Sequence, residues 1–331
     1  MRYFIRRILF FLLTLWAAIT LNFFIPRLQP GDPAEAIVRK IAGQNRAIDP
    51  AQVAAIRAML GTPDGNLFQQ YVDYLGNLVR GEFGVSSSYF PYTVMEMIGQ
   101  AILWTIALAG VTQVLGFIIG TLLGAFAAWR RNTAFDSIVS LGLTFLGTLP
   151  YYGIAMLMIY VFAFKLNWLP MGGGFSQTST REYGWEYTGD ILRHAILPAL
   201  SILLTAPIGW VMGMRNNMIQ TLGEDYTRLA LAKGLSPWKV ALRYSARNAI
   251  MPNVTGFAIS LGGILGGLVF VEGLFNYPGM GRLLFEAVGN RDYPLMQTIF
   301  LFTTVGVLLA NLIADLMYGW LDPRVRKGEG T

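Results

Sequence analysis

The chain has 331 residues, of which 54% are hydrophobic and only 13% charged, with no cysteine and a net charge of +6. Ordinary soluble domains carry about a quarter charged residues, so this composition excludes a soluble globular protein and points to one that lives in lipid. Without cysteine there is no disulfide and no thiolate metal site.

A membrane-spanning helix needs about 20 mostly apolar residues. Six stretches qualify: Ile8–Ile25, Ala101–Ala128, Ile138–Phe164, Ala195–Met214, Val254–Val271 and Leu295–Leu321. The alternation expected of a β-barrel is absent, so the expected fold is an all-α membrane protein with six transmembrane helices. Residues 1–25 form the N-terminal segment and first span. Arg6-Arg7 and the apolar run behind them resemble a secretory signal, but the run is too long and leads into Asn22-Phe-Phe-Ile-Pro26, without a small-residue cleavage site.

Residues 26–100 read as an extracytoplasmic insert. Asp49 suits an N-cap and Pro50 the first helical position; Val53, Ile56 and Leu60 then recur on one face before Gly61 stops the helix. A second amphipathic helix is expected over Phe68–Val79. The insert serves either as a structural cap or as a platform for an extracytoplasmic partner. Residues 101–321 form a five-helix core that includes a loop at 215–252, and residues 322–331 a tail.

Basic residues flank alternate ends of the spans. Arg2, Arg6 and Arg7 precede the first, Arg130 and Arg131 follow the second, six bases from Arg215 to Arg247 follow the fourth, and Arg324, Arg326 and Lys327 follow the sixth. By the positive-inside rule both termini and the 215–252 loop are cytoplasmic. The net positive charge is therefore read as orientation and attraction to lipid headgroups, with nucleic acid excluded as a partner.

Within the core, Gly116, Gly120 and Gly124 repeat every four positions, a spacing that lets helix backbones approach closely in lipid. Pro150 and Pro207 interrupt the third and fourth spans and should kink them. Tyr151 and Tyr152 beside the first kink, and the glycine pairs Gly262-Gly263 and Gly266-Gly267, are candidates to line a translocation path; packing explains them as well. Ionisable groups are nearly missing from the spans. Only Asp315 and the boundary residue Glu272 qualify, too few for an ion or proton relay. The single histidine, His194, stands at a span edge, where capping or packing suits it better than catalysis.

The 215–252 loop carries the most detail. Tyr226, Leu229, Ala230 and Lys233 share one helical face, so a short helix is expected from Glu224 and Asp225 to Lys233. Gly234 supplies a left-handed terminating residue, Ser236 an N-cap and Pro237 the first position of a second helix. On that helix Lys239, Arg243 and Arg247 fall four apart, making a basic stripe. The expected form is a rigid helix–glycine–helix elbow.

The wording of this loop, Asp225-Tyr-Thr-Arg-Leu-Ala-Leu-Ala-Lys-Gly-Leu-Ser236 with Arg247-Asn-Ala-Ile-Met-Pro252, resembles the permease subunits of ATP-binding-cassette importers, in particular the dipeptide/oligopeptide branch. Gln29-Pro-Gly-Asp-Pro33, Glu272-Gly-Leu-Phe-Asn-Tyr-Pro-Gly-Met-Gly281, Arg291-Asp-Tyr-Pro294 and Leu321-Asp-Pro-Arg-Val-Arg326 resemble the same branch, so the likeness covers nearly the whole chain. It implies a transport subunit in the inner membrane of a prokaryote, paired with a second, similar permease. Two cytoplasmic ATP-binding subunits or domains and an external solute-binding protein complete the expected assembly.

On this resemblance Glu224, Asp225, Tyr226, Arg228, Ala230, Lys233, Gly234, Leu235, Ser236 and Pro237 are the expected ATPase-coupling residues. The broader importer pattern places an acid and an alanine where Arg228 and Leu229 stand, which leaves the role of any acid in docking open. The sequence has no Gly-x-x-x-x-Gly-Lys-[Ser/Thr] loop, so ATP and magnesium belong to the partner subunits and the chain itself is not expected to be an enzyme or to hold a cofactor. Substrate remains open between peptides and oligosaccharides. Aromatic residues on the external side, among them Tyr89, Tyr92, Trp168, Tyr183, Trp185 and Tyr187, suit sugar rings and interfacial anchoring equally. A stand-alone ion-coupled transporter or channel is the alternative of another class.

Overall fold

A computed structural model describes residues 2–27, 50–51, 54, 66–176, 184–261 and 268–321. Among them every regular element is helical. In chain order these are α1 (Arg2–Arg27), α2 (Leu67–Arg80), α3 (Val94–Trp129), α4 (Ala134–Thr148), α5 (Tyr151–Met158), α6 (Trp185–Leu203), α7 (Pro207–Leu222) and α8 (Asp225–Ala232). There follow α9 (Pro237–Lys239), a single helical turn at Arg247–Ala249, α10 (Met251–Ser260), α11 (Val269–Leu274), α12 (Met280–Asn290) and α13 (Tyr293–Leu321). Two stretches wind more widely as π-helix: Ile159–Lys165 continues α5, and Val240–Ala246 continues α9.

The all-helical expectation holds among the described residues, and the two expected kinks are present. Among the described residues three helices are long and apolar enough to cross a membrane, within α1, α3 and α13, and five if the bent pairs α4/α5 and α6/α7 each count as one. The expected third span, Ile138–Phe164, breaks at Pro150, where α4 and α5 meet at 94°. Proline disfavours the helical conformation of the residue before it, and Leu149 is accordingly extended, with φ −83° and ψ 132°.

The expected fourth span, Ala195–Met214, bends by only 44° before Pro207. Here the preceding Ala206 keeps helical angles, and Pro207 occupies the first turn of α7, where no N–H is needed. In the expected fifth span, α10 and α11 lie on either side of residues 262–267. The candidate path residues Gly262, Gly263, Gly266 and Gly267 therefore lie outside the described residues, as do most of the expected Pro50–Gly61 helix and Tyr183.

The chain divides into two compact units, one of residues 1–106, 265–273 and 278–331, the other of 107–264 and 274–277. In the first unit α1 lies along α13. Asn22 donates its side-chain amide to the Gln297 carbonyl at 2.7 Å, and Gln297 returns an amide to Asn22 O at 3.3 Å. The core joins Val94, Ile98 and Ala101 of α3 to Leu284 and Ala287 of α12 and to Leu295 and Ile299 of α13. Helix α2 is where the Phe68–Val79 pattern put it. Asn66 caps its start by accepting the Gln69 N–H at 2.9 Å, and Gly81 closes it in the left-handed region at φ 74°.

Asp292 organises the segment between α2 and α3. Fully buried, it accepts the Ser86 hydroxyl at 2.5 Å and the Ser88 N–H at 2.8 Å on Oδ2, and the Leu295 N–H at 3.2 Å on Oδ1, which caps α13. Beside it Tyr89 donates its hydroxyl to Glu286, which also pairs with Arg282 at 2.8 Å.

In the second unit the Gly116–Gly124 stripe of α3 is a helix-packing surface. A Cβ at Gly120 would stand 2.7 Å from Trp210 Cβ, and one at Gly124 would overlap the Val211 carbonyl, so α7 approaches α3 at a distance only glycine allows. Phe117, Trp210 and Phe257 pack in the same region, Trp210 edge-on to both phenylalanines. His194 is buried, with Nδ1 2.8 Å from Asp190 O, a packing role as its position suggests.

Candidate functional site

The elbow at 215–252 is built from the end of α7, α8, a glycine turn, and a second arm running from α9 through Val240–Ala246 to Ala249. Helix α8 starts after Glu224, whose extended backbone (φ −70°, ψ 150°) is that of an N-cap, although its side chain makes no cap hydrogen bond. It ends in a Schellman-type turn. Gly234 takes φ +82°, and the Leu235 N–H reaches back to Ala230 O at 3.3 Å. Ser236 then has the backbone of an N-cap without a hydroxyl hydrogen bond, and Pro237 opens the second arm.

Burial divides α8 more finely than its periodicity. Thr227 and Ala230, three apart, are buried, whereas Tyr226, Leu229 and Lys233 are exposed, together with Asp225 and Arg228. Ala230 therefore faces inward, and the outward surface mixes acid, base and apolar groups. The basic stripe Lys239, Arg243 and Arg247 is exposed throughout, despite the π winding between its members. Val240, Ala241, Ser245 and Ala249 face inward on that arm.

The residue that fastens α8 was not among the expected ones. Thr227 donates its hydroxyl to Glu224 O at 2.6 Å, with Leu222 O at 2.9 Å and Thr221 O at 3.3 Å also in range. Leu222 O and Thr221 O belong to the last turn of α7, where carbonyls lack helical partners, whereas Glu224 O also accepts the Thr227 and Arg228 N–H groups that open α8. Thr221 donates to Ser245 O at 3.3 Å, Asn217 to Ala249 O at 3.3 Å, and Asn248 to the Tyr226 hydroxyl at 3.2 Å. A small core of Ala128, Met214, Met218, Ala241 and Ala249 joins the second arm to α7 and the end of α3. Trp238 packs edge-on to Trp129, whose ring carries the Arg130 guanidinium at 4.9 Å. The second arm is thus locked to α7 and to the end of α3, and α8 to the end of α7, while the outer face of α8 stays open.

The other candidate residues fall apart from this elbow in the chain. Tyr151 and Tyr152 begin α5 at the Pro150 break, with ring centroids 6.1 Å apart and Tyr152 about half exposed. Among the described residues no group of His, Asp and Glu could hold a metal ion.

Residues 120–327 match the family model described as binding-protein-dependent transport system inner membrane component. The chain belongs to that family. This inner-membrane component is 36% identical to a putative peptide permease protein of Brucella suis over 327 residues, 98% of the chain and 99% of the relative. It is 34% identical to the di/tripeptide transport system permease protein DppB of Pseudomonas aeruginosa, covering 97% of each. With the glutathione transport system permease protein GsiC of Escherichia coli K12 it shares 36% over 98% of its length and 99% of the relative. The matched region contains the whole elbow of this inner-membrane component.

Proposed function

We propose that this chain is one permease of an ATP-binding-cassette importer that takes up peptides of two or more residues. The observation that carries this reading is the end-to-end likeness to permeases named for peptides, di/tripeptides and glutathione. Those names favour peptides over oligosaccharides. In the same reading the chain has six spans with both termini in the cytoplasm, pairs with a second permease, and receives solute from an external binding protein.

The exposed tip of α8, with Asp225, Arg228, Leu229 and Lys233, is the surface offered to a cytoplasmic ATPase, and Glu224, Tyr226 and the Gly234–Pro237 turn set its angle. Interior residues Thr227 and Ala230 hold the tip rather than touch the partner. Because the arms are fastened to α7 and α3, a push on the tip is passed to those helices instead of being absorbed in the loop. ATP and its magnesium, bound in the partner, supply the free energy. This chain converts the partner's movement into a choice between two states of the pore, which only a differential interaction can bias.

The test is reconstitution of the complete complex in proteoliposomes with labelled tripeptide. Uptake that requires ATP and the binding protein, and is competed by peptides but not by oligosaccharides, is the expected result. Solute movement by the isolated chain under an ion gradient would overturn the reading. Single cysteines introduced at Leu229 and Trp168 test the topology, since the chain has no others; labelling of the first only from the cytoplasmic side and the second only from outside is expected.

A further inference from the structure

Arg215 reads in the sequence as one more base of a positive loop, but it is not free. Its Nε donates to Asp136 Oδ1 at 2.6 Å and its Nη2 to Asp136 Oδ2 at 2.8 Å, a two-pronged pair between α4 and α7. Asp136 is buried and otherwise saturated, taking the Asn132 N–H at 3.2 Å and the Ser140 hydroxyl at 3.3 Å. A bidentate guanidinium–carboxylate pair fixes both separation and orientation, because two parallel bonds permit neither sliding nor rotation. Near the other end of α4, a Cβ at Gly147 would stand only 3.0 Å from Ile208 of α7. Helix α4 is therefore held near both of its ends to the part of α7 between Ile208 and Arg215. Of the two helices, α7 runs directly into Glu224 and the elbow; α4 leads to the 94° break at Pro150.

We propose that the Asp136–Arg215 pair is a positioning strut that makes α4 move with α7, so that displacement of the elbow is delivered to the bend at Pro150. The proposal rests on the import reading above. Neither residue touches the ATPase surface or the solute; each acts through the helix it holds. Breaking one half leaves a charge in a largely buried site, which favours separation of the helices, whereas exchanging the charges keeps the bond.

The experiment uses the complete complex in proteoliposomes and compares Asp136→Asn with the exchanged pair D136R/R215D, reading both ATP hydrolysis and peptide uptake. Asp136→Asn is expected to keep hydrolysing ATP while peptide moved per ATP falls about tenfold, the scale of a typical coupling free energy, and the exchanged pair to recover most of that loss. An unchanged ratio overturns the proposal. So does a parallel loss of hydrolysis and uptake with loss of the assembled complex, which would make the pair an assembly contact.

Spin labels at Ser137→Cys and Gln220→Cys give a second measurement independent of activity. Their separation should stay constant when ATP binds and change on ATP binding once Asp136 is Asn; a separation that already shifts in the otherwise native chain overturns the strut. An unmodified complex that hydrolyses ATP without moving peptide counts against the import reading instead.

Discussion

Gly281 donates its backbone N–H to Glu272 Oε2 at 2.6 Å, and the carboxylate lies so close to Gly279 that a Cβ there would occupy its place. The acid sits fully buried at the start of α12, where the unpaired N–H groups of the first turn supply its partners. Thr105 holds the next donor, accepting the Met280 N–H at 2.8 Å. Glycine at 279 is thus a matter of room for the Glu272 carboxyl group, and glycine at 281 of room for the Val269 backbone as well as that group.

Gly279→Ala should consequently lower the thermal midpoint of the detergent-solubilised protein, with a cost of about 1–3 kcal/mol typical of overpacking. Glu272→Ala should do the same by leaving the Gly281 N–H unpaired. Midpoints equal to the native one for both variants would show that the carboxylate does not support α12.

At the elbow, Gly234→Val should reduce uptake sharply while the chain still reaches the membrane. No heavy atom lies within 4 Å of the added Cβ, so the penalty comes from φ +82° alone, about 1–2 kcal/mol for an L-residue in this region. Gly234→Asn should be better tolerated, because asparagine accepts left-handed angles. Equal uptake by Val and Asn variants would contradict the turn.

Thr227→Val keeps the shape of the side chain and removes its donor, at a cost of about 1 kcal/mol. Faster amide hydrogen exchange across α8 is the expected outcome, with little change in α1 or α13. Unaltered exchange in residues 225–232 would mean that the hydroxyl does not anchor the helix.

Burial, then the hydrogen bond to Glu286 and its charge, push the Tyr89 phenol up to about 12 from 10.0. The neutral phenol is the form favoured by the fold, so its contribution is complete below pH 10 and is lost as pH rises through about 12. The absorbance difference between native protein and Tyr89→Phe should titrate near the upper value; a midpoint near 10 would show that Tyr89 is not held by Glu286.

Much of the elbow was legible because its signals are local. Gly234, Ser236 and Pro237 act through backbone conformation within a few residues, and they end one helix and begin the next where their chemistry requires. The same holds for α2 and for the glycine stripe of α3. What stayed hidden depends on partners distant in the chain. Thr227 and Ala230 sit between exposed neighbours, and no periodicity distinguishes the inward face of an eight-residue helix. Arg215 and Asp136 are 79 positions apart, so the sequence shows a base and an acid but not a bond.

Hydropathy by itself determined that the chain lives in a membrane, since lipid exposure demands long apolar stretches whatever their packing. Family membership was likewise readable in the residues. Only the tertiary structure decided the shape of those stretches: one proline bends its segment by 94° and another by 44°, according to whether the preceding residue leaves the helical region. It alone turned Arg215 from an orientation charge into one half of a buried pair. The reason is physical. Solvent preference is a property of each residue, whereas a bend or an ion pair is a property of what surrounds it.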